Sequence, residues 1–298
     1  MQERIILGSR GSDLARAQVR LVEEALRKAW PELKVAVEFI RTSGDESARA
    51  GTISDRKAGR KGLFTREIEK ELLVRRIDVA VHSAKDLPSD GRDALEVRAA
   101  LPRSATEDIL ITKSGSGLTT LVRGSVIATG SVRRQRQLGW IRPDLQVVDL
   151  RGNVPTRLRK LEENDGWSGI ILALAGLKRL GLKVEGEILP PEDFVPAGGQ
   201  GVIALQGRSD DPRVQKLLDA INDHPTYICL RAEREFLRLL NGDCDSPVGV
   251  QAKLEAEELR LRGQVFEAST AAPRIGMAVG SSSDPEAVAA KLMEQLYG

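Results

Sequence analysis

Short apolar runs alternate with helical patterns along the first two thirds of the chain, and this alternation most limits the folds it can adopt. Runs such as RIILGSR (4–10) and VAVEFI (35–40) have the length and composition of buried β-strands. A stretch that begins near Ser12 carries apolar residues three or four positions apart, which is typical of an amphipathic helix. Strands that alternate with helices predict βα units, and therefore an α/β fold with a mostly parallel sheet.

The alternation continues beyond these first elements. Further strands are predicted at 77–83, 108–112, 125–130, 145–150 and 169–174, and further helices at 63–73 and after Ser131, Asn153 and Ala175. From about residue 212 the order changes to two consecutive helices, a β-hairpin and a terminal helix. Helices and strands segregated in this way predict a separate, small α+β domain at the C-terminus.

Composition and charge exclude several classes of protein. A chain of 298 residues has room for two or three domains, and 41% hydrophobic with 30% charged residues is an ordinary globular composition. A net charge of +2 gives no sign of a nucleic-acid or membrane partner, and no apolar run reaches the roughly 18 residues of a transmembrane helix. Two cysteines and two histidines are too few for a disulfide framework or a multi-histidine metal site. The charged N-terminus is unlike a signal peptide, so a cytoplasmic protein is expected.

Arginines recur just beyond the carboxyl ends of predicted strands, where open α/β sheets bind ligands. They are Arg10, Arg133, Arg134, Arg151 and Arg157, with Arg179 one element later. The helix dipole disfavours a cation at a helix N-terminus by about 0.3–1 kcal/mol, so repeated placement there makes sense if an anion also binds. Guanidinium groups suit carboxylates and phosphates, and no GxGxxG or GxxxxGK[ST] motif points to a nucleotide. For each arginine taken singly, a solvated surface position is the alternative.

The segment AVHSAKDLP (80–88) places a carboxylate among basic and polar residues at another strand end. It brings His82, Ser83, Lys85 and Asp86 within five residues. A lone carboxylate among so many bases can simply form an ion pair. It can also act as a general acid or base, or stabilise a developing cation. The spacing alone leaves both roles open.

The two cysteines stand in different surroundings. Cys229 lies among apolar residues of a helical pattern, so a core position is expected for it. Cys244 lies in NGDCDSPVG (241–249), a run of turn formers that follows the end of a helix. Its two aspartate neighbours should raise the pKa of the thiol, which argues against a nucleophile that works in every turnover.

Eight short motifs occur in an order that resembles one family. They are GSRGSDLARAQ (8–18), GRKGLFTREIE (59–69), DVAVHSAKDLP (78–88), TGSVRRQRQL (129–138), LRGNVPTRL (150–158), ILALAGLKRLGL (171–182), PAGGQG (196–201) and GDCDSPVG (242–249). Each motif alone is weak, but all eight in order, spread over essentially the whole chain, are highly specific. The chain resembles the porphobilinogen deaminase family, also called hydroxymethylbilane synthases.

The resemblance implies three domains. Two would be lobes similar to those of type II periplasmic binding proteins, with a cleft between them, and the third would carry a cysteine loop that reaches the cleft. On this chain the first lobe is expected at 1–100, completed by 195–215, the second at 101–194, and the α+β domain at 216–298. The family resemblance also implies a monomer.

The resemblance implies a transferase reaction as well. Such enzymes join four porphobilinogen molecules head to tail, with loss of ammonia, into linear hydroxymethylbilane for tetrapyrrole biosynthesis. Growth occurs on a dipyrromethane cofactor, whose thioether the motif match places on Cys244. Asp86 matches the catalytic aspartate, which helps the amine leave, stabilises the cationic azafulvene and handles the pyrrole protons. His82 is expected to support it as a polar neighbour, and the product would pass to uroporphyrinogen-III synthase.

The family's substrate accounts for the arginines, because each pyrrole carries an acetate and a propionate. Positions that match cofactor-binding residues are Ser83, Lys85, Asp86, Ser131, Arg133 and Arg134. Positions that match substrate-binding residues are Arg10, Ser12, Gln18, Lys57, Phe64, Arg151, Arg157, Arg179 and Gln200. The polar, glycine-rich segment 43–62, which composition predicts as a long surface loop with or without a role, matches the family's mobile cover.

Three residues depart from the family's pattern. Gly130 stands where a second serine is common, Pro155 where glycine is common, and Asp243 where a small residue precedes the cysteine. None removes a chemical group that the reaction needs, so they are expected to affect loop shape and rate.

Two other functions are compatible with parts of the sequence. A solute-binding module would share the lobes and the basic cleft, but it would not need Cys244 or Asp86 and would normally carry an export signal. An enzyme with a cysteine nucleophile would pair Cys244 with His82, and the acidic neighbours of that cysteine count against it.

Overall fold

The computed structural model describes residues 4–42, 65–91, 94–241, 247–267, 270 and 272–298. Three of the predicted site residues, Lys57, Phe64 and Cys244, lie outside these ranges, as does the predicted loop at 43–62. The remaining predicted site residues are all described.

The first of three sheets has five strands. They are β1 (Arg4–Arg10), β2 (Lys34–Ile40), β3 (Val79–Ser83), β4 (Leu95–Ala100) and β10 (Ile203–Arg208), in the order β2-β1-β3-β10-β4. β1 pairs in parallel with β2 and β3, whereas β10 is antiparallel to both β3 and β4. Alternating buried residues of β1, β3 and β10 form the core of this lobe with one face of helix α1 (Asp13–Ala29).

The second sheet repeats this arrangement with different strands. They are β5 (Asp108–Thr112), β6 (Val126–Ala128), β7 (Gln146–Val148), β8 (Gly169–Ala173) and β9 (Glu187–Leu189), in the order β7-β6-β8-β5-β9. Again two pairings are parallel, and the fourth strand in the order is antiparallel to its neighbours. In each sheet, three parallel strands are therefore followed in the order by the strand through which the chain enters from the other lobe, which is β10 in the first sheet and β5 in the second.

The prediction of mostly parallel sheets is confirmed, because four of the five strands in each sheet run in the same direction and one is antiparallel. β5 and β10 each follow a connection from the opposite lobe, and each runs antiparallel to the strands it joins. The start of β10 consequently lies beside the end of β3, with Ile203 opposite Ser83. Residues that precede β10 thus reach the same edge of the sheet as the carboxyl ends of β1 and β3.

The helices begin and end much as the sequence pattern predicts. Within the described ranges they are α1 and then α2 (Arg66–Leu73), α3 (Val132–Ile141), α4 (Val154–Glu163), α5 (Leu174–Arg179), α6 (Pro212–Asp219), α7 (His224–Leu239) and α8 (Pro285–Tyr297). The side chains of Ser12, Ser131 and Asn153 accept hydrogen bonds from backbone N–H groups in the first turns of α1, α3 and α4. Such capping satisfies backbone donors that have no partner inside the helix.

The third sheet belongs to a small C-terminal α+β unit. Antiparallel strands β11 (Val248–Glu255), β12 (Glu258–Val265) and β13 (Arg274–Ser281) pack against α7 and α8 around Phe236 and Leu292. The predicted hairpin is confirmed as β11 and β12, while β13 was missed. Cys229 is buried in this core, as expected.

The predicted fold class is confirmed as two α/β lobes followed by a small α+β domain. We propose domain bounds of 1–100 with 195–215, 101–194 and 216–298, because they keep each sheet within one unit. Among the described residues, no helix combines the length and the apolar character that crossing a bilayer requires.

Candidate active site

Strand ends of the first lobe meet around a small cavity of about 60 Å³. Its walls include Arg10 at the end of β1, Ser12 and Gln18 of the α1 start, Ser83 at the end of β3, and Asp86. The buried Gln18 side chain donates a hydrogen bond of 2.8 Å from Nε2 to the hydroxyl of Ser83. Five of the predicted site residues are therefore brought together at one edge of the sheet.

Asp86 ends a short 3-10 helix, Ala84–Asp86, that directly follows β3. The backbone of Gly199 lies against this turn. Gly199 has a φ of +73°, and a Cβ there would stand 2.9 Å from the carbonyl carbon of Ala84 and 3.0 Å from the Lys85 nitrogen. Glycine permits both the left-handed conformation and the close approach, so the segment before β10 can support the turn that carries Asp86.

A carboxylate that was absent from the predicted site, Asp108, lies at the centre of the basic cluster. Asp108 is the first residue of β5 and is fully buried. Its Oδ2 accepts a hydrogen bond from Nη2 of Arg133, and its Oδ1 accepts one from Nη2 of Arg134, both at 2.8 Å. The two guanidinium groups together hold the pKa of Asp108 far below its usual range, although burial alone would raise it.

Arg133 and Arg134 are themselves buried, at 4% and 5% exposure. Nη1 of Arg133 donates to the carbonyl of Val195, and Nη1 of Arg134 donates to that of Ile171, both at 2.9 Å. Both arginines were expected to present their guanidinium groups to ligand carboxylates. Their terminal nitrogens are instead engaged with the protein, and each Nε is left buried with no hydrogen-bond partner among the described residues.

Lys85 and Gln200 extend the cluster into the first lobe. Nε2 of Gln200 donates to Oδ1 of Asp108 at 2.8 Å, and Oε1 of Gln200 accepts a longer bond of 3.4 Å from Nζ of Lys85. Burial, reinforced by the positive charge of Arg134, lowers the pKa of Lys85 to about 8. The site thus holds more positive charge than its own carboxylates balance.

The other predicted arginines surround this cluster at varying depth. Nε of Arg157 donates to the carbonyl of Gly152 at 2.7 Å, and burial lowers the pKa of Arg157 to about 10, with Arg134 and Arg151 adding to the effect. Arg179 donates from Nη2 to the carbonyl of Gly201 at 2.6 Å, and burial lowers its pKa to about 10. Arg151 is more exposed and pairs with Asp149 at 2.7 Å.

Ser131 lies at the N-terminus of α3, and its hydroxyl accepts a long hydrogen bond of 3.5 Å from the backbone N–H of Arg134. The preceding Gly130 packs against the backbone. A Cβ at this position would stand 2.5 Å from the carbonyl oxygen of Leu150. This contact gives a physical reason for the glycine that departs from the family's pattern, because a serine would require the backbone to shift.

His82 and Cys229 are two buried titratable groups that the cluster does not use. Burial lowers the pKa of His82 to about 4, despite a 3.1 Å hydrogen bond between its Nε2 and Oε1 of Gln206, so its imidazole is neutral near pH 7. Burial raises the pKa of the Cys229 thiol to about 11. Neither group has the ionisation expected of a nucleophile–base pair at neutral pH.

Sequence comparisons identify the family. The sequence model described as the dipyrromethane cofactor-binding domain of porphobilinogen deaminase matches residues 5–216, and that of the C-terminal domain matches 227–298. The chain belongs to the porphobilinogen deaminase family. It is therefore a member of a family of transferases, and its first two lobes form the family's dipyrromethane-binding domain.

Curated family members match over nearly their full length. The porphobilinogen deaminase of Roseiflexus sp. (strain RS-1) is 45% identical over 99% of this chain and 96% of its own. That of Moorella thermoacetica is 44% identical over 98% of this chain and 92% of its own. Among solved structures, a periplasmic sulfonate-binding protein from Methylobacillus flagellatus KT covers 76% of this chain and 67% of its own, with 14% identity and a TM-score of 0.41. A likeness at that level says nothing about the ligand.

The residues of the cluster fit an anionic, dipyrromethane-type cofactor. The buried Nε–H groups of Arg133 and Arg134 lack a partner in the described parts of the chain, as do those of Arg98, Arg208 and Arg262 elsewhere. Lys85 adds its positive charge beside Arg133 and Arg134. Buried donors of this kind are normally satisfied, so a ligand with several carboxylates suits the site. Within the described ranges, no group of three or more His, Cys, Asp or Glu side chains is arranged to hold a metal ion.

Asp108 is the functional-site residue that the sequence reasoning missed. It stands as the first residue of the apolar run DILIT, where it looks like an ordinary polar strand end. Little in the sequence signals it, because Asp108 begins its strand, whereas the predicted site residues follow strand ends. It reaches the same edge only because β5 is antiparallel to β8. Its partners come from 25 and 26 residues further along the chain, and only the folded structure brings them together.

Proposed function

We propose that the chain is a hydroxymethylbilane synthase, which condenses four porphobilinogen molecules head to tail on a dipyrromethane held by Cys244. The observation that carries this proposal is the buried positive charge of Arg133, Arg134 and Lys85, which exceeds the negative charge of the Asp108 carboxylate at their centre. Such a cluster suits a polycarboxylate, and each pyrrole unit of the proposed substrate carries two carboxylates.

The cofactor would be held by the basic cluster and the turn beside it. When bound, it supplies the pyrrole α-carbon on which the product grows. The proposed contacts are Ser83, Lys85, Asp86, Ser131, Arg133 and Arg134, with Cys244 as the covalent anchor. Among these, Arg133 and Arg134 offer rigid donors, because their terminal nitrogens are already fixed by Asp108 and backbone carbonyls.

Asp86 is the proposed catalytic residue. It lines the cavity at the end of β3, where its carboxylate can accept a hydrogen bond from a pyrrole N–H and hold a proton released there. The same negative charge can stabilise the cationic azafulvene that forms when porphobilinogen loses ammonia. His82 is neutral and hydrogen-bonded to Gln206, which favours Asp86 over His82 as the group that handles protons.

The surrounding arginines are proposed to bind the carboxylates of the incoming and growing pyrroles. With residues of other types, the full set of proposed substrate-binding residues is Arg10, Ser12, Gln18, Lys57, Phe64, Arg151, Arg157, Arg179 and Gln200. We further propose a cytoplasmic monomer that releases its product to uroporphyrinogen-III synthase.

The first prediction concerns mass. The intact purified protein should exceed its sequence mass by one dipyrromethane unit, and Cys244→Ser should lack that addition. The wild-type protein should also give the colour reaction of a free pyrrole α-position with acidic dimethylaminobenzaldehyde. Intact mass spectrometry checks both proteins, with Cys229→Ser as the matched control that keeps the addition. An active enzyme of unmodified mass would overturn the proposal.

The second prediction concerns Asp86. Asp86→Ala should retain the dipyrromethane, because the arginine cluster is untouched, and should lose most of its turnover. Removing a positioned acid–base group typically lowers the rate by about 10²–10⁴-fold. Rapid quench measurements of ammonia release report turnover, and intact mass reports whether the cofactor is retained. Near-normal turnover in the loaded variant contradicts the role assigned to Asp86.

A further inference from the structure

We propose that Asp108 is a positioning residue that orients three ligand-binding side chains from one buried carboxylate. The inference rests on the proposed function and deepens it, because it explains how the same cluster is preset for a carboxylate ligand. Asp108 acts through these side chains and does not itself contact the ligand.

The contacts of Asp108 occupy both of its oxygens. Oδ2 accepts from Nη2 of Arg133, while Oδ1 accepts from Nη2 of Arg134 and from Nε2 of Gln200, all at 2.8 Å. Because Asp108 is 0% exposed, water cannot replace any of these partners. Buried charge-assisted hydrogen bonds of this length are strong and directional.

The other terminal nitrogens are fixed as well. Nη1 of Arg133 donates to Val195 O, and Nη1 of Arg134 donates to Ile171 O. A planar guanidinium held at both terminal nitrogens cannot rotate, so the direction of its Nε–H is set. In both arginines that Nε is buried, and within the described residues no acceptor reaches it. Each guanidinium group is therefore fixed in orientation, with one N–H that no acceptor in the described chain uses.

Asp108 also fixes the side chain of Gln200, which belongs to the segment that completes the first lobe. Gln200 is held through Nε2 by Asp108 and by Thr106 O at 2.6 Å, which leaves Oε1 to accept from Lys85. Lys85 is the neighbour of Asp86 in the sequence. One carboxylate thus links the donors of the second lobe to the turn that carries the proposed catalytic residue. Preorganised donors need no rearrangement when the ligand binds.

Asp108→Asn tests this role with little change in volume. The new amide has one donor group, so one of the two guanidinium groups loses its acceptor and can turn. We expect a lower fraction of protein carrying dipyrromethane, measured by intact mass. In the loaded fraction we expect KM for porphobilinogen to rise about 10- to 100-fold, the change that corresponds to a charged hydrogen bond, while kcat changes less.

Asp211→Asn is the matched control. Asp211 is also a buried carboxylate, and it accepts a 2.6 Å hydrogen bond from the buried Arg208 at the end of β10 remote from the cleft. This variant should lose stability yet keep normal cofactor loading and KM. Normal loading and KM in Asp108→Asn would overturn the proposal. Equal losses in both variants would also overturn it, because they would mark a general effect of a broken buried ion pair.

A second measurement serves if Asp108→Asn does not fold. Arginine-selective ¹⁵N labelling of the wild-type protein and of Cys244→Ser compares the loaded and unloaded sites, with Arg133→Lys and Arg134→Lys used to assign the two Nε–H signals. Both signals should shift on loading. Unshifted signals would overturn the proposal, whereas a wild-type protein without dipyrromethane would overturn the proposed function itself.

Discussion

At the scale of single residues, the site is governed by an excess of buried positive charge. Lys85 shows this most clearly, because burial and the neighbouring Arg134 lower its pKa to about 8. A bound carboxylate adds negative charge beside the ammonium group and so favours its protonated form. Ligand binding is therefore coupled to the protonation of Lys85.

This coupling gives a pH dependence with a definite sign. Below about pH 8 Lys85 is protonated with or without ligand, so the ligand gains its full interaction. Above about pH 8 the chain without dipyrromethane loses the proton, and cofactor binding must take one up. The Kd of the unloaded variant Cys244→Ser for a free dipyrromethane should then rise by up to about tenfold per pH unit.

Lys85→Arg is the control for this effect, since a guanidinium stays charged throughout the range. Binding titrations of Cys244→Ser, with and without Lys85→Arg, between pH 7 and 9.5 compare the slopes of log Kd for a free dipyrromethane against pH. The carboxylates of the dipyrromethane are ionised throughout this range, so the difference in slope isolates Lys85. Parallel slopes would refute the coupling.

At the scale of elements, the two connections between the lobes cross at the start of β10. The backbone N–H of Ser104 donates to the carbonyl of Gly201 at 2.9 Å. A Cβ on Gly201 would stand 2.6 Å from Ser104 O and 2.7 Å from Ala105 O, and the φ of Gly201 is +83°. Arg179 also donates to the Gly201 carbonyl, so this crossing helps to place a proposed substrate-binding residue.

Gly201→Ala should be markedly destabilising. Gly181 provides the comparison, because its φ is +64° but a Cβ added there would meet no described atom within 4 Å. Both variants carry the strain of a left-handed alanine, about 1–2 kcal/mol, and only Gly201→Ala adds a steric clash, about 1–3 kcal/mol more. Urea unfolding measures the difference. Equal free energies of unfolding would show that the crossing can relax.

The elements also show how far the sequence could be interpreted. Strands β1, β2, β3, β5 and β8 and the helix starts near Ser12, Ser131 and Asn153 follow from local pattern, and the structure confirms them. β10 was missed because it contains Gln206 and Arg208, two buried polar residues whose partners lie on distant segments. Asp108 was missed as a site residue for the same reason. Local patterns reveal the elements, whereas a buried polar side chain is explained only by the partner that folding brings to it.

At the scale of the whole molecule, the carboxylate of Glu233 on α7 joins the C-terminal domain to both connections. Nη1 and Nη2 of Arg103 donate to it at 2.6 and 3.1 Å, and the backbone N–H groups of Gly199 and Ala252 each donate at 2.7 Å. Arg103 and Gly199 belong to the two segments that run between the lobes. Glu233 is fully buried, and its bonds from Gly199 and Ala252 are buried with it, whereas the Arg103 side chain is 13% exposed.

Glu233→Gln should lower the free energy of unfolding by about 3–5 kcal/mol, because it leaves the largely buried Arg103 without a charged partner. The control is Glu286→Gln, which breaks the exposed pair with Arg231 and should cost no more than about 1 kcal/mol. Calorimetry should also show the C-terminal domain of Glu233→Gln melting separately from the lobes. A single transition with wild-type stability would contradict this role.

The pairing of β10 between β3 and β4 has a consequence for the order in which the protein forms during synthesis. All five strands of the second sheet lie between residues 108 and 189, so that lobe can be finished as soon as this stretch has left the ribosome. The first sheet cannot close until residues 203–208 follow. The nascent chain therefore holds an incomplete N-terminal lobe, with the inner edges of β3 and β4 unpaired, until the lobe behind it has been made.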